Sequence, residues 1–176
     1  PLKSLNVMGD GGIVATNNIR IAKWILKYRN HGMINRDKID FWGVNYRLQP
    51  LQAIVANENL KKIDKFIKIR NKNAKILDKY LSELNPNIII PTRIKNNLET
   101  FALYMIICKK RNKLKKFLID RGIEAKIHYP IPLHLQKPAK ALGYKKGDFP
   151  VAEDQSSKLL TLPVHQYLKE EQIHYM

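Results

Sequence analysis

Between Leu48 and Leu84 one apolar stripe dominates the chain: Leu60, Ile63, Ile67, Ala74, Leu77, Leu81 and Leu84. The steps alternate between three and four residues once Arg70 fills the single polar place, which puts the set on one face of an α-helix. Pro50 suits the first turn, where no amide hydrogen is needed. At 1.5 Å per residue such a helix would run on the order of 55 Å. The face reads as core packing. A coiled-coil dimer is the weaker reading, because Arg70 would put a charge into the seam.

The segments on either side differ in character. Gly12 to Thr16 is apolar and bounded by glycines and asparagines, which predicts a short buried strand. Asn17 or Asn18 can cap a helix carrying Ile21, Trp24, Ile25 and Tyr28, with His31 and Gly32 closing its end. Met33 to Asn45 lacks periodicity and should be a loop. Beyond Pro86, Asn87–Ile90 and Thr100–Cys108 read as strands, the second apolar on both faces as a central strand would be. Arg111–Arg121 reads as a helix with Leu114, Phe117 and Leu118 inward and Gly122 as its cap. Ile123–His128 reads as a further strand, and Pro130, Pro132 and Pro138 mark a rigid loop. Pro150–Lys158 suggests a helix, Leu159–Leu162 a strand, and Leu168–Met176 the start of another helix. Together these predict a small βαβ-like domain after the long helix.

Composition bounds the function. With 44% hydrophobic and 27% charged residues the chain has the make-up of a globular protein. No apolar run approaches the roughly 20 residues of a membrane helix, and no secretion signal is visible. The single cysteine, Cys108, rules out an internal disulfide framework and fits a reducing compartment such as the cytoplasm. It lies in an apolar run and reads as a buried thiol. The net charge of +17 admits a basic nucleic-acid-binding domain. No zinc-finger spacing, RNA-binding sheet pattern or arginine-rich tail accompanies that charge. No His, Cys or carboxylate group has metal-ligand spacing.

Lys3 stands alone in a neutral segment just ahead of Gly9-Asp10-Gly11-Gly12. A lysine amine attacks a carbonyl only when unprotonated, so a partly desolvated, electropositive setting is required. Read alone, Lys3 would be a surface lysine before a turn.

Five blocks in order give it a context: Pro1-Leu2-Lys3-Ser4-Leu5 through Gly12; Arg29-Asn30-His31-Gly32; Gly43-Val44-Asn45-Tyr46-Arg47-Leu48 with Leu51-Gln52-Ala53; His128 to His134; and Gly147-Asp148-Phe149-Pro150-Val151-Ala152-Glu153 leading to Leu162-Pro163-Val164-His165. In this the chain resembles the DegT/DnrJ/StrS-type pyridoxal-phosphate-dependent sugar aminotransferases. The resemblance implies an α/β fold, the C-terminal part of the type I (aspartate aminotransferase-like) transferase fold, with a long linking helix and a small α+β domain. Residues 1–48 would end the large cofactor domain, 49–85 would form the linking helix, and 86–176 the small domain, with both chain ends cut.

The resemblance also implies roles. Lys3 aligns with the lysine that carries pyridoxal 5'-phosphate and moves protons during amino transfer. A dehydratase branch has histidine there, so Lys3 favours transamination. Asn45 would reach the cofactor phosphate of the neighbouring subunit in a homodimer with shared active sites, an amide donor suiting a phosphate oxygen. Read without the family, Asn45 could equally cap the following helix. Arg47 could bind substrate through its planar fork or serve in a structural pair. Tyr129 and His134 would present a hydroxyl and an imidazole to a nucleotide-linked sugar. The implied reaction moves an amino group, from glutamate, to a nucleotide-linked keto-deoxy-sugar in surface polysaccharide or amino-sugar synthesis. The family's remaining cofactor contacts precede the lysine, so this chain alone is expected to be inactive. A catalytically silent relative is the other alternative.

Overall fold

Asn18 caps the first helix, as its side chain predicts. In the computed structural model, which describes residues 4–176, its Oδ1 accepts the amides of Arg20 at 2.9 Å and Ile21 at 3.3 Å. The chain divides into two units, one ending at Asp64 and the other running Lys65–Met176.

In the first unit α1 spans Ile19–Tyr28. Its end is closed by His31 and Gly32 in the left-handed region, with φ of 62° and 69°, and the Gly32 amide returns to the Lys27 carbonyl at 2.8 Å. Trp24 stacks between Tyr28 (4.6 Å) and Phe41 (5.5 Å), which ties the irregular segment after Met33 to the helix. The strand expected at Gly12–Thr16 does not form. Ile13 and Val14 are exposed, and among the described residues nothing pairs with them. Apolar character alone does not make a strand; a ladder partner does.

Pro50 opens α2, Pro50–Leu60, and α3 follows at Ile63–Ser82. The helix expected over 49–85 is therefore two. At Lys61 and Lys62 the Asn59 carbonyl accepts both following amides, the Lys62 bond at 3.0 Å, so the ladder tightens and breaks. Lys61 keeps helical dihedrals, which preserves the three-residue step from Leu60 to Ile63 across the break. Within α3 the stripe is buried at Arg70, Ala74 and Leu77, but Leu60, at the end of α2, and Leu84, beyond α3, are exposed where the same core face was expected.

The second unit holds a three-stranded sheet in the order β1 (Ile88–Ile89), β2 (Tyr104–Cys108), β3 (Leu159–Leu162). Both pairings are antiparallel, with Tyr104 opposite Leu162 and Ile88 opposite Cys108. A βαβ unit needs parallel strands, so that expectation fails. Ile123–His128 contributes only one bridge, Lys126 to Thr161. Cys108 is buried on the central strand. On β2, Tyr104 and Ile106 face Ala74 and Leu77 in one core with Leu118, Leu160 and Ile173.

Of the other helices, α4 is Arg111–Ile119, with Gly122 at φ 76° just beyond it. Leu118 is buried, but Phe117, expected inward, lies half exposed under the Arg121 guanidinium at 3.6 Å. The proline segment is a 3-10 turn, Leu133–Leu135, then α5, Lys137–Ala141; Pro138 sits in its first turn rather than in a loop. Helix α6, Pro150–Lys158, runs directly into β3, and α7 is Glu170–Tyr175.

Candidate functional site

The second unit contains a cleft of about 610 Å³ whose lining includes Tyr129, Ile131, Leu133, His134, Phe149 and Ser156. Two of the predicted site residues thus share one cavity. Tyr129 is 73% exposed as it borders the cleft. His134 is buried, and its ring tilts against Phe149 at 4.9 Å between centroids.

His134 Nε2 lies 2.9 Å from Glu153 Oε1. The same oxygen accepts the Gly147 amide at 2.6 Å. One carboxylate on the first turn of α6 therefore gathers the 3-10 turn and the glycine loop. These bonds, the Gly147 amide foremost and His134 next, hold the Glu153 carboxyl below the usual carboxylate range. With Nε2 bonded to Glu153, Nδ1 is the ring nitrogen left for another partner.

Glu153 belongs to the quoted Gly147–Glu153 block, yet the sequence reading gave it no role. Its signal was available: an acid three residues after a helix-opening proline, where first-turn carboxylates are favoured.

The first unit holds a groove lined by Arg29, Asn45, Arg47, Leu48, Gln49 and Pro50. Asn45 forms a bridge with Asn30, and Arg47 Nε donates to Asn30 Oδ1 at 2.8 Å, with Nη2 on the same oxygen. The Tyr46 amide donates to the Arg29 carbonyl at 2.8 Å. The Arg29-Asn30 and Asn45-Arg47 blocks, distant in sequence, are thereby laid side by side. Asn45 does not cap α2, because that cap is Gln49, whose amide donates to Gln52 Oε1 at 3.3 Å. The Asn45 amide is exposed and bonds to no other described side chain. An amide and two arginines lining one groove are a donor set that suits a phosphate. Lys3 lies outside the described residues.

A family model, the DegT/DnrJ/EryC1/StrS aminotransferase family, matches residues 1–176. A pleiotropic regulatory protein of Geobacillus stearothermophilus is 34% identical over 100% of this chain and 48% of its own length. The UDP-2-acetamido-2-deoxy-3-oxo-D-glucuronate aminotransferase of Pseudomonas aeruginosa is 32% identical over 96% of this chain and 45% of its own. Among solved structures, S. venezuelae DesV, in complex with a ketimine intermediate, superposes with a TM-score of 0.87 at 27% identity, covering 91% of this chain and 43% of that one. The chain thus spans just under half the length of these relatives. Nothing in the comparisons favours a nucleic-acid-binding domain.

Proposed function

Because the chain belongs to the DegT/DnrJ/EryC1/StrS aminotransferase family, we propose that the full-length protein aminates a nucleotide-linked keto-deoxy-sugar. The amino donor is an amino acid, glutamate on the family resemblance, and the cofactor is pyridoxal 5'-phosphate. The observation that carries this reading is end-to-end similarity of this chain to a nucleotide-sugar aminotransferase. Bound at the active lysine, the cofactor supplies an electron sink for the donor's α-carbon.

The chain's own residues take definite parts in this reading. Lys3 would be the attachment residue, and its freed amine would take the proton from the donor's α-carbon. Asn45 donates its amide to the cofactor phosphate, across the interface of a homodimer. Arg47, already bonded to Asn30, holds the loop that presents Asn45 and offers its remaining N–H groups to an anionic ligand. Tyr129 and His134, in the apolar cleft, meet the sugar and exclude water around it. Among the described residues no helix is long and apolar enough to cross a membrane; we place the protein in the cytoplasm, supplying surface polysaccharide or amino-sugar synthesis.

The test is borohydride reduction of the full-length protein loaded with pyridoxal phosphate, followed by peptide mapping. The label should fall on Lys3, and Lys3→Ala should remove both label and turnover. A label elsewhere overturns the assignment. The name of the Geobacillus stearothermophilus relative favours a second reading, a regulatory protein without transferase activity. Cofactor binding with no amino transfer to any nucleotide keto-sugar would support it.

A further inference from the structure

Arg70 is a buried cation without a counter-ion. Only 7% of the residue is exposed. Its Nε donates to Gln166 Oε1 at 2.9 Å and its Nη1 to the Phe101 carbonyl at 2.7 Å, both neutral acceptors. Among the described residues no carboxylate offsets its charge. Burial pulls its pKa below the ordinary guanidinium value, with only Tyr167 acting the other way. A buried charge held by neutral groups alone is costly, and a mobile anion would relieve it.

The surroundings provide space for one. Arg70 lines a pocket of about 230 Å³ with Glu124, Lys126, His128, Thr161 and His165. No buried side-chain nitrogen among the described residues lacks a hydrogen-bond partner. Arg70 Nη2, which has none of the bonds above, therefore keeps solvent access, and Arg70 borders this open space. Tyr167 donates its amide to His165 Nδ1 at 3.3 Å, so in the neutral imidazole the proton sits on Nε2, a donor. His128 Nδ1 pairs with Thr161 Oγ1 at 3.0 Å. The one carboxylate in the lining, Glu124, is taken up by Lys126 at 2.5 Å, leaving the charge at Arg70 unanswered.

We propose that this pocket binds a small oxyanion, a carboxylate or a phosphate group, between Arg70 Nη2 and the His165 imidazole, with Lys126 neutralising the Glu124 carboxylate beside it. The planar guanidinium supplies directed donors, and two of its N–H groups are already fixed, so little side-chain entropy remains to be lost on binding. This assignment does not depend on the transferase reading.

The test is calorimetric titration of the full-length protein, saturated with pyridoxal phosphate so that any cofactor-phosphate site is filled. Inorganic phosphate and acetate are titrated separately at constant ionic strength, which tells a phosphate site from a carboxylate site. Saturable binding of at least one is expected, weakened at least about tenfold in Arg70→Gln, as the loss of a charge-assisted donor predicts. Arg70→Gln also loses the Phe101 bond and could unfold the unit. Lys126→Gln and His165→Gln, at exposed positions, keep the question open to refutation and should each weaken binding several-fold. Absence of saturable binding to the wild type, or binding unchanged in both of those variants, overturns the proposal.

Discussion

His134 Nε2 and Glu153 Oε1 lie 2.9 Å apart, and that oxygen also receives the Gly147 amide. The pair closes one wall of the apolar cleft by joining segments from either side of α5. Glu153→Ala removes the acceptor for both donors, whereas Glu153→Gln keeps one neutral acceptor. The urea midpoint of the full-length protein should fall in both, further in the alanine variant. If the cleft receives the sugar, KM for the nucleotide-linked substrate should rise more than kcat falls. Equal midpoints for the two variants would show that the hydrogen bonds are idle.

A second prediction concerns the loop that carries Asn45 and Arg47. Gly32 has φ 69°, and a Cβ there would stand 1.7 Å from the Phe41 carbonyl oxygen. A Cβ on Gly43 would fall 2.3 Å from the Gly32 amide nitrogen and 2.5 Å from the Tyr28 carbonyl oxygen. Each obstacle is backbone, so neither clash is relieved by a rotamer change. Gly32→Ala and Gly43→Ala should each destabilise by upwards of about 3 kcal/mol. Because Val44 bonds to Tyr28 and His31 across this contact, cofactor affinity should fall as well. Denaturant unfolding and absorbance titration with pyridoxal phosphate measure the two effects.

The core of the second unit turns on Asp78. Its Oδ1 accepts the Tyr104 hydroxyl at 2.6 Å and Arg93 Nη2 at 2.9 Å, and its Oδ2 accepts Arg93 Nε at 3.2 Å. Burial, then the Asp78 bond, pushes the Tyr104 hydroxyl far above its ordinary value, so it stays a donor. Tyr104→Phe removes one bond and leaves the ion pair; about 1 kcal/mol should be lost. Asp78→Ala strands both donors and should cost about 2–3 kcal/mol. The double variant should fall well short of the sum, which a denaturation cycle reads directly.

How much of this was legible beforehand depends on the range of the forces involved. Helix α6 and β3 were readable at their observed limits, because Pro150 fixes the start and the shift from polar to apolar at Leu159 fixes the join. Asn18 and Pro50 gave the openings of α1 and α2 for the same local reason. Gly12–Thr16 failed because strand formation depends on a partner no local pattern displays. The break at Lys61 was hidden because the apolar spacing runs through it unaltered, while the backbone bonds do not. In the cleft, Tyr129 and His134 were readable only through the resemblance. Glu153 was not read at all, since its partners Gly147 and His134 meet it through the turn at Leu133–Leu135 and the loop before α6.

Acid should weaken the second unit in two steps. Burial, then the nearby Arg70 charge, lowers the His165 pKa, with Glu124 opposing. A histidine depressed in the folded state binds fewer protons there than when unfolded. Its neutral form is fully supported above about pH 6.5, and stability declines as pH drops below that value. Glu153 behaves as a depressed carboxylate: its contribution is complete above roughly pH 4.3 and disappears as pH falls through its lower folded value. Glu124 and Glu170, held low chiefly by Lys126 and Lys72, add to the second step. His165→Gln should flatten the decline that begins below about pH 6.5 and leave the lower step intact, whereas Glu153→Gln should shrink the lower step and leave the upper one intact. Midpoints from urea unfolding at half-unit pH intervals separate the two, and an upper step that persists in His165→Gln would assign it to another group.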